Sequence, residues 1–279
     1  MKRKIGLSLC SKPYDAAAME RYAQAGIQAV EFSFATEVYD AYDFAEGAKT
    51  ARKYGIDPWS AHLPFVPFRS NNIASLDPTV RQSTIALQAE LLKRVGEAEI
   101  PLAVIHPSGE PTPPEARAEM MKCAKDSLAT LAEIAANEGV TLAVEDLPRS
   151  CLGRCASEIK DLISVDERLR VCFDTNHLWN EDNLAFLRAL GDKIVTLHIS
   201  DYDFIDERHW LPGEGKVDWV ALMDGLDEIG YTGVHMYELG FAAPKTILRP
   251  RDLTAEDFVR NAEELMARAP LTVLGKSNV

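Results

Sequence analysis

Seven short apolar runs in this chain each end on a group able to bind a cation or a proton: AVE at Glu31, SAH at His62, AVIH at His106, LAVE at Glu145, VCFD at Asp174, VTLH at His198 and VHMYE at Glu238. A buried parallel strand reads as such a run, and the intervals between the runs are long enough for a helix. Strands that repeatedly present a carboxylate or an imidazole at the same end describe a closed barrel whose ligand-bearing ends meet on one face.

The segments between agree. Strands are expected at 5–9, 27–34, 58–62, 102–106, 140–145, 170–174, 194–200 and 233–238, and helices at 14–24, 44–55, 78–97, 113–137, 156–165, 182–190, 218–229 and 255–267. Proline opens the two longest helices, glycine follows several others, and a proline-punctuated loop, LPFVPFRSN, follows the third strand. Eight alternating strand and helix units favour a single α/β domain over 1–279, a (β/α)8 TIM barrel. At 279 residues, 47% hydrophobic and 26% charged, the chain has the size of that fold. The tail from Pro270 carries no pattern and is expected to be loose.

Charge and cysteine usage narrow the function. A formal net charge of -13 repels a nucleic-acid backbone, and no loop rich in arginine and lysine is visible to grip a duplex. The five cysteines form no C-x-x-C pair, which suits free thiols in a reducing compartment rather than disulfides. The start MKRKIGLSLCSKPYD is basic, but its apolar stretch is too short for a signal peptide, and no stretch approaches membrane-spanning length. A cytoplasmic protein with no membrane partner is expected, its oligomeric state open to a homo-oligomer.

Strand alternation selects which side chains point inward. Thr141, Ala143 and Glu145 share a face, as do Thr196, His198 and Ser200, whereas His235 is out of phase with Glu238 and should turn toward the helices as a structural histidine. Glu145, Asp174, His198 and Glu238 come from four successive strands, and three carboxylates aimed at one point repel unless a cation neutralises them. Oxygen-rich ligation with one imidazole suits Mn, Mg or Co, and a histidine-richer set moves the preference toward Zn or Fe. The competing account is that each acid pairs with a rim arginine.

At these residues the chain resembles the xylose isomerase-like barrels, a superfamily that includes sugar and sugar-phosphate isomerases and epimerases and the type IV apurinic endonucleases. SAHLPF, IHPSG, VEDLPR, FDTNH, LHISDYD, HWLPGEG and YEL carry the resemblance over nearly the whole chain, FDTNH and HWLPGEG most specifically. It implies that Glu145, Asp174, His198 and Glu238 hold one divalent metal, and that Glu145 and Glu238 exchange protons with a ketose through an enediolate. His177 is implied to bind a sugar hydroxyl, and His62, His106 and His209 to contact substrate. The endonuclease branch implies instead a trinuclear zinc site, with His62, His106, His177, Glu207 and His209 as additional ligands. His209 and Arg208 stand where ketose epimerases tend to carry a substrate-binding arginine, so the substrate need not be a simple free ketose, and dehydratases on the same barrel share the four-ligand core.

Other candidates have two readings each. Glu31 either contacts substrate or pairs with an arginine. Arg149 either binds a carboxylate or phosphate or joins a rim ion pair. Trp59, Phe65, Phe68, Trp179 and Trp210 form an apolar wall against a sugar ring or simply pack. Gly213-Glu214-Gly215 lacks the strand-to-helix setting of a phosphate loop and reads as a tight turn. The expected activity is isomerisation or epimerisation of a small sugar-like molecule, its identity and phosphorylation left open.

Overall fold

The computed structural model describes residues 3–179 and 181–279; Met1 and Lys2, part of the basic start weighed above, and Asn180 lie outside the described residues. Strands β1 (Ile5–Ser8), β2 (Ala29–Phe32), β3 (Asp57–His62), β4 (Leu102–Ile105), β5 (Thr141–Glu145), β6 (Arg170–Asp174), β7 (Ile194–His198) and β8 (His235–Tyr237) pair in parallel as β7-β6-β5-β4-β3-β2-β1-β8. The remaining seam closes just beyond β7. The Ile199 N–H donates to the Met236 carbonyl at 2.8 Å, and the Glu238 N–H to the Ile199 carbonyl at 3.2 Å.

Helices α1 (Ala16–Ala25), α3 (Phe44–Lys53), α4 (Pro78–Glu97), α5 (Arg117–Asn137), α6 (Ala156–Ile163), α7 (Asn183–Leu190), α8 (Trp219–Glu228) and α9 (Ala255–Ala267) surround the barrel, with a short α2 (Thr36–Tyr39) after β2. Asp15, Asp43, Asp77, Asp182 and Asp218 each accept a first-turn N–H, so sequence fixes where these helices begin. The helix expected from residue 113 opens only at Arg117, because Pro114 disfavours helical backbone at Pro113.

Two β-bulges set the inward phase. Val30 pairs with Pro58 and Glu31 with Ser60, leaving Trp59 extra in β3; Val171 pairs with Ile194 and Cys172 with Thr196, leaving Val195 extra in β7. Trp59 packs inward on Ala29, Val234 and Met236, and Val195 on Val104, Ala143 and Cys172. These residues make an apolar floor below the site. His235 faces the helix layer as its parity predicts, its ring edge-on to Tyr237, whose hydroxyl donates to Asn261 of α9.

The tail is anchored rather than loose. β10 (Lys276–Ser277) pairs antiparallel with β9 (Ile247–Leu248), the Thr272 N–H and hydroxyl both donate to Glu264, and Leu271 packs over Gly213. A strand of two residues leaves no periodicity to read.

Candidate metal centre and active site

The carboxyl ends of the strands bring the predicted residues together. One ligand atom from each of Glu145, Asp174, His198 and Glu238 lies within 4.8 Å of the other three. His198 Nδ1 is 2.8 Å from Glu145 Oε1, 3.2 Å from Glu238 Oε2 and 4.0 Å from Asp174 Oδ2. Asp174 Oδ1 accepts the Asn176 N–H at 2.6 Å, while Oδ2 is buried with no hydrogen-bond partner.

Beneath this group Glu31 takes His198 Nε2 at 3.0 and 3.1 Å and accepts the Ser60 hydroxyl at 2.8 Å. Glu31 is fully buried and does not line the cavity, so the expected substrate contact is not what the fold gives it. Its partners are His198 and Ser60, not an arginine. A carboxylate behind a ligating imidazole orients the ring and leaves Nδ1 free to face a cation.

Around the cluster, His62 and His106 both direct Nε2 at Glu145 Oε2, each at 3.0 Å. The His62 Nδ1–H donates to the Leu63 carbonyl and the His177 Nδ1–H to the Asp146 carbonyl, at 2.9 and 2.7 Å. With Nδ1–H committed, Nε2 can meet a carboxylate only with a proton or a cation between them. His177 Nε2 lies 3.0 Å from Glu207 Oε1 and 3.5 Å from Asp174 Oδ2. The His209 Nδ1 is 3.1 Å from the Glu238 carbonyl, and its backbone is left-handed at φ 49.

The charges perturb one another strongly. Burial raises the Glu145 carboxyl, but the neighbouring imidazoles, His198 foremost, outweigh it and hold it well below its usual range. Burial, reinforced by the charges of Glu145 and Asp174, pushes Glu238 up to about 8. Burial pulls His106 down to about 4. His62 rises to about 9, because its bond and charge contact with Glu145 overcome burial.

A cavity of about 390 Å³ opens onto the cluster. Glu145, Glu238, His62, His106, His177, His209, Glu207 and Arg149 all line it, together with Phe65 and Phe68. Phe65 stacks on His106 with ring centroids 4.1 Å apart. The three tryptophans weighed as an apolar wall lie elsewhere: Trp59 in the floor, Trp210 bonded to Thr246, and Trp179 under the Arg149 guanidinium.

Sequence reasoning missed Asp146, whose Oδ1 accepts the Asp174 N–H at 2.7 Å and whose carbonyl holds His177. Its parity turns it away from the lumen, so alternation gave no signal. Glu110 and Asp206, both on Arg149, were also missed; only their place just after strands could have found them. Gly213-Glu214-Gly215 is the tight turn expected: the Asp201 carboxylate accepts the Gly213 and Val217 N–H groups and the Trp219 indole N–H.

The sequence pattern of the xylose isomerase-like TIM barrel family matches residues 19–258. A fructoselysine 3-epimerase from Shigella flexneri is 32% identical over 120 residues, 41% of this chain and 44% of that protein. An inosose isomerase from Bacillus velezensis is 30% identical over 159 residues, 52% of this chain and 54% of that protein. The chain therefore spans about half the length of these curated relatives. The crystal structure of a D-tagatose 3-epimerase-like protein superposes with a TM-score of 0.78 at 21% identity, covering 95% of this chain and 98% of that one. At that identity the likeness is one of fold.

Proposed function

As the chain belongs to the xylose isomerase-like TIM barrel family, we propose that it is a divalent-metal-dependent isomerase or epimerase of a sugar or polyol-like substrate. The observation that carries this is the placement of Glu145 and Glu238 oxygens 2.8 and 3.2 Å from His198 Nδ1, beside a buried Asp174 oxygen that accepts no hydrogen bond. The epimerase and the isomerase among its relatives support the reaction class.

Glu145, Asp174, His198 and Glu238 would hold the ion, and their oxygen-dominated donor set favours Mn, Mg or Co. When bound, it polarises a ketose carbonyl and offsets the negative charge that develops on its oxygen. One of the two glutamates takes the proton from the carbon beside the carbonyl, and the other delivers a proton from the opposite face. Glu31 keeps the His198 ring oriented, and Asp146 fixes the His177 tautomer so that Nε2 faces the substrate side. Phe65 and Phe68 offer apolar faces to the ring.

Ketose-proton exchange with deuterated water by the Mn-loaded protein tests this, over a panel of free and phosphorylated ketoses. Exchange that falls at least 100-fold in both Glu145→Gln and Glu238→Gln is expected; full exchange in either variant removes the acid/base assignment.

A second reading, a zinc phosphodiester hydrolase, is favoured by the convergence of His62 and His106 on one Glu145 oxygen and by the His177–Glu207 contact, which together offer ligands for further ions. Three zinc ions per chain with cleavage of abasic DNA would replace the first reading.

A further inference from the structure

Arg149 is the one lysine or arginine lining the cavity among the described residues, and so the natural anchor for a phosphate or carboxylate on a substrate. The fold has already committed it. Its Nε donates to both oxygens of Glu110 at 3.0 and 2.9 Å, and its Nη1 meets Asp206 at 3.0 Å and also Glu207. Its guanidinium lies 5.4 Å from the centre of the Trp179 ring, and its backbone is held left-handed at φ 53. The residue thus ties together the loops that follow β4, β5, β6 and β7.

Three carboxylates surround one guanidinium and the His177 imidazole, so acids outnumber cationic side chains on this side of the rim, and two of the three, Glu110 and Glu207, face the cavity. An anionic group on the far end of a sugar would have to shed water beside these acids, with the one guanidinium of the lining already committed to them. The helix that opens nearest a strand end, α2, has a single turn, and none of its residues lines the cavity. Arg69, next to Phe68, is exposed and does not line the cavity either.

Resting on the sugar-directed function proposed above, we infer that the cavity selects substrates without a phosphate or carboxylate, and that Arg149 acts as a clasp for its rim rather than as an anion receptor. Ring hydroxyls suit the same surroundings, because they can donate to Glu110 and Glu207 without burying a second negative charge.

Calorimetric titration of the Mn-loaded full chain with glucitol and with glucitol 6-phosphate tests the inference without relying on turnover. The phosphate is expected to bind at least tenfold more weakly. Equal or tighter binding of the phosphate overturns the inference while leaving the isomerase reading standing, and binding of neither compound at millimolar concentration overturns both. Preference for glucitol in a protein that exchanges no ketose proton supports the inference and counts against the isomerase reading alone. Glu110→Gln, which removes one rim charge and releases the Arg149 Nε, should shift the ratio of the two affinities at least threefold toward the phosphate. An unchanged ratio in a folded variant overturns the charge account.

Discussion

A buried carboxylate oxygen without a donor, such as Asp174 Oδ2, costs about 1–3 kcal/mol or more unless a cation meets it. Asp174→Asn keeps the oxygen that accepts the Asn176 N–H and replaces the unpartnered one with an uncharged amide. We expect Mn affinity to fall at least 100-fold by calorimetry, with the melting temperature in EDTA unchanged or higher. Undiminished Mn binding would place the ion elsewhere. Glu31 shows how much one buried acid can do without touching a ligand, since it holds both His198 and Ser60 from below the cavity.

At the level of elements, the segment from Asp201 to Trp219 is held by the Asp201 carboxylate, and Gly215 lies directly against it. A Cβ at Gly215 would overlap Asp201 Oδ1 and the Tyr202 carbonyl. Gly215→Ala should therefore cost on the order of 1–3 kcal/mol in urea denaturation and displace the His209 loop; an unchanged midpoint would contradict this packing. Helix α9 opens on a capping box between Thr254 and Asp257, and Asp257 also binds Arg251 and Arg260. The Arg251 bond holds the Asp257 carboxyl below its usual range, with the Thr254 N–H and Arg260 adding to it against burial. A carboxyl whose folded value is depressed contributes stability that is complete above its unfolded value and is lost as pH falls toward the folded one. The destabilisation by Asp257→Asn, about 1–2 kcal/mol at neutral pH, should thus shrink steadily below about pH 4 in thermal melts. A pH-independent difference would show that the charge is irrelevant.

For the molecule as a whole, an ion bound only by the native barrel must stabilise it, by about 2.7 kcal/mol at a hundredfold excess over Kd. Melting temperature should rise with Mn and fall back with EDTA, and a flat response would leave the strand ends without a ligand to share. The barrel and the four side chains gathered at its centre were legible because parallel strands buried on both faces are written as apolar runs, and because alternation assigns the residue at each end. What sequence withheld depends on contacts between distant loops. The alliance of Arg149 with Glu110, Asp206 and Glu207 joins positions 39 to 58 residues from Arg149. Which of its two readings Trp59 would take was hidden for another reason: a bulge shifts the count by one, and no residue type announces it.

Those two irregular strands, β3 and β7, stand on opposite walls, and the Trp59 indole N–H reaches across the lumen to the Thr196 hydroxyl at 3.2 Å. One storey above, His62 and His198 face each other with ring centres 5.6 Å apart and 16° from parallel. The indole is in effect a crossbar that gauges the calibre of the tube just below the imidazoles, so the spacing demanded of the chemistry is dictated by carpentry underneath it.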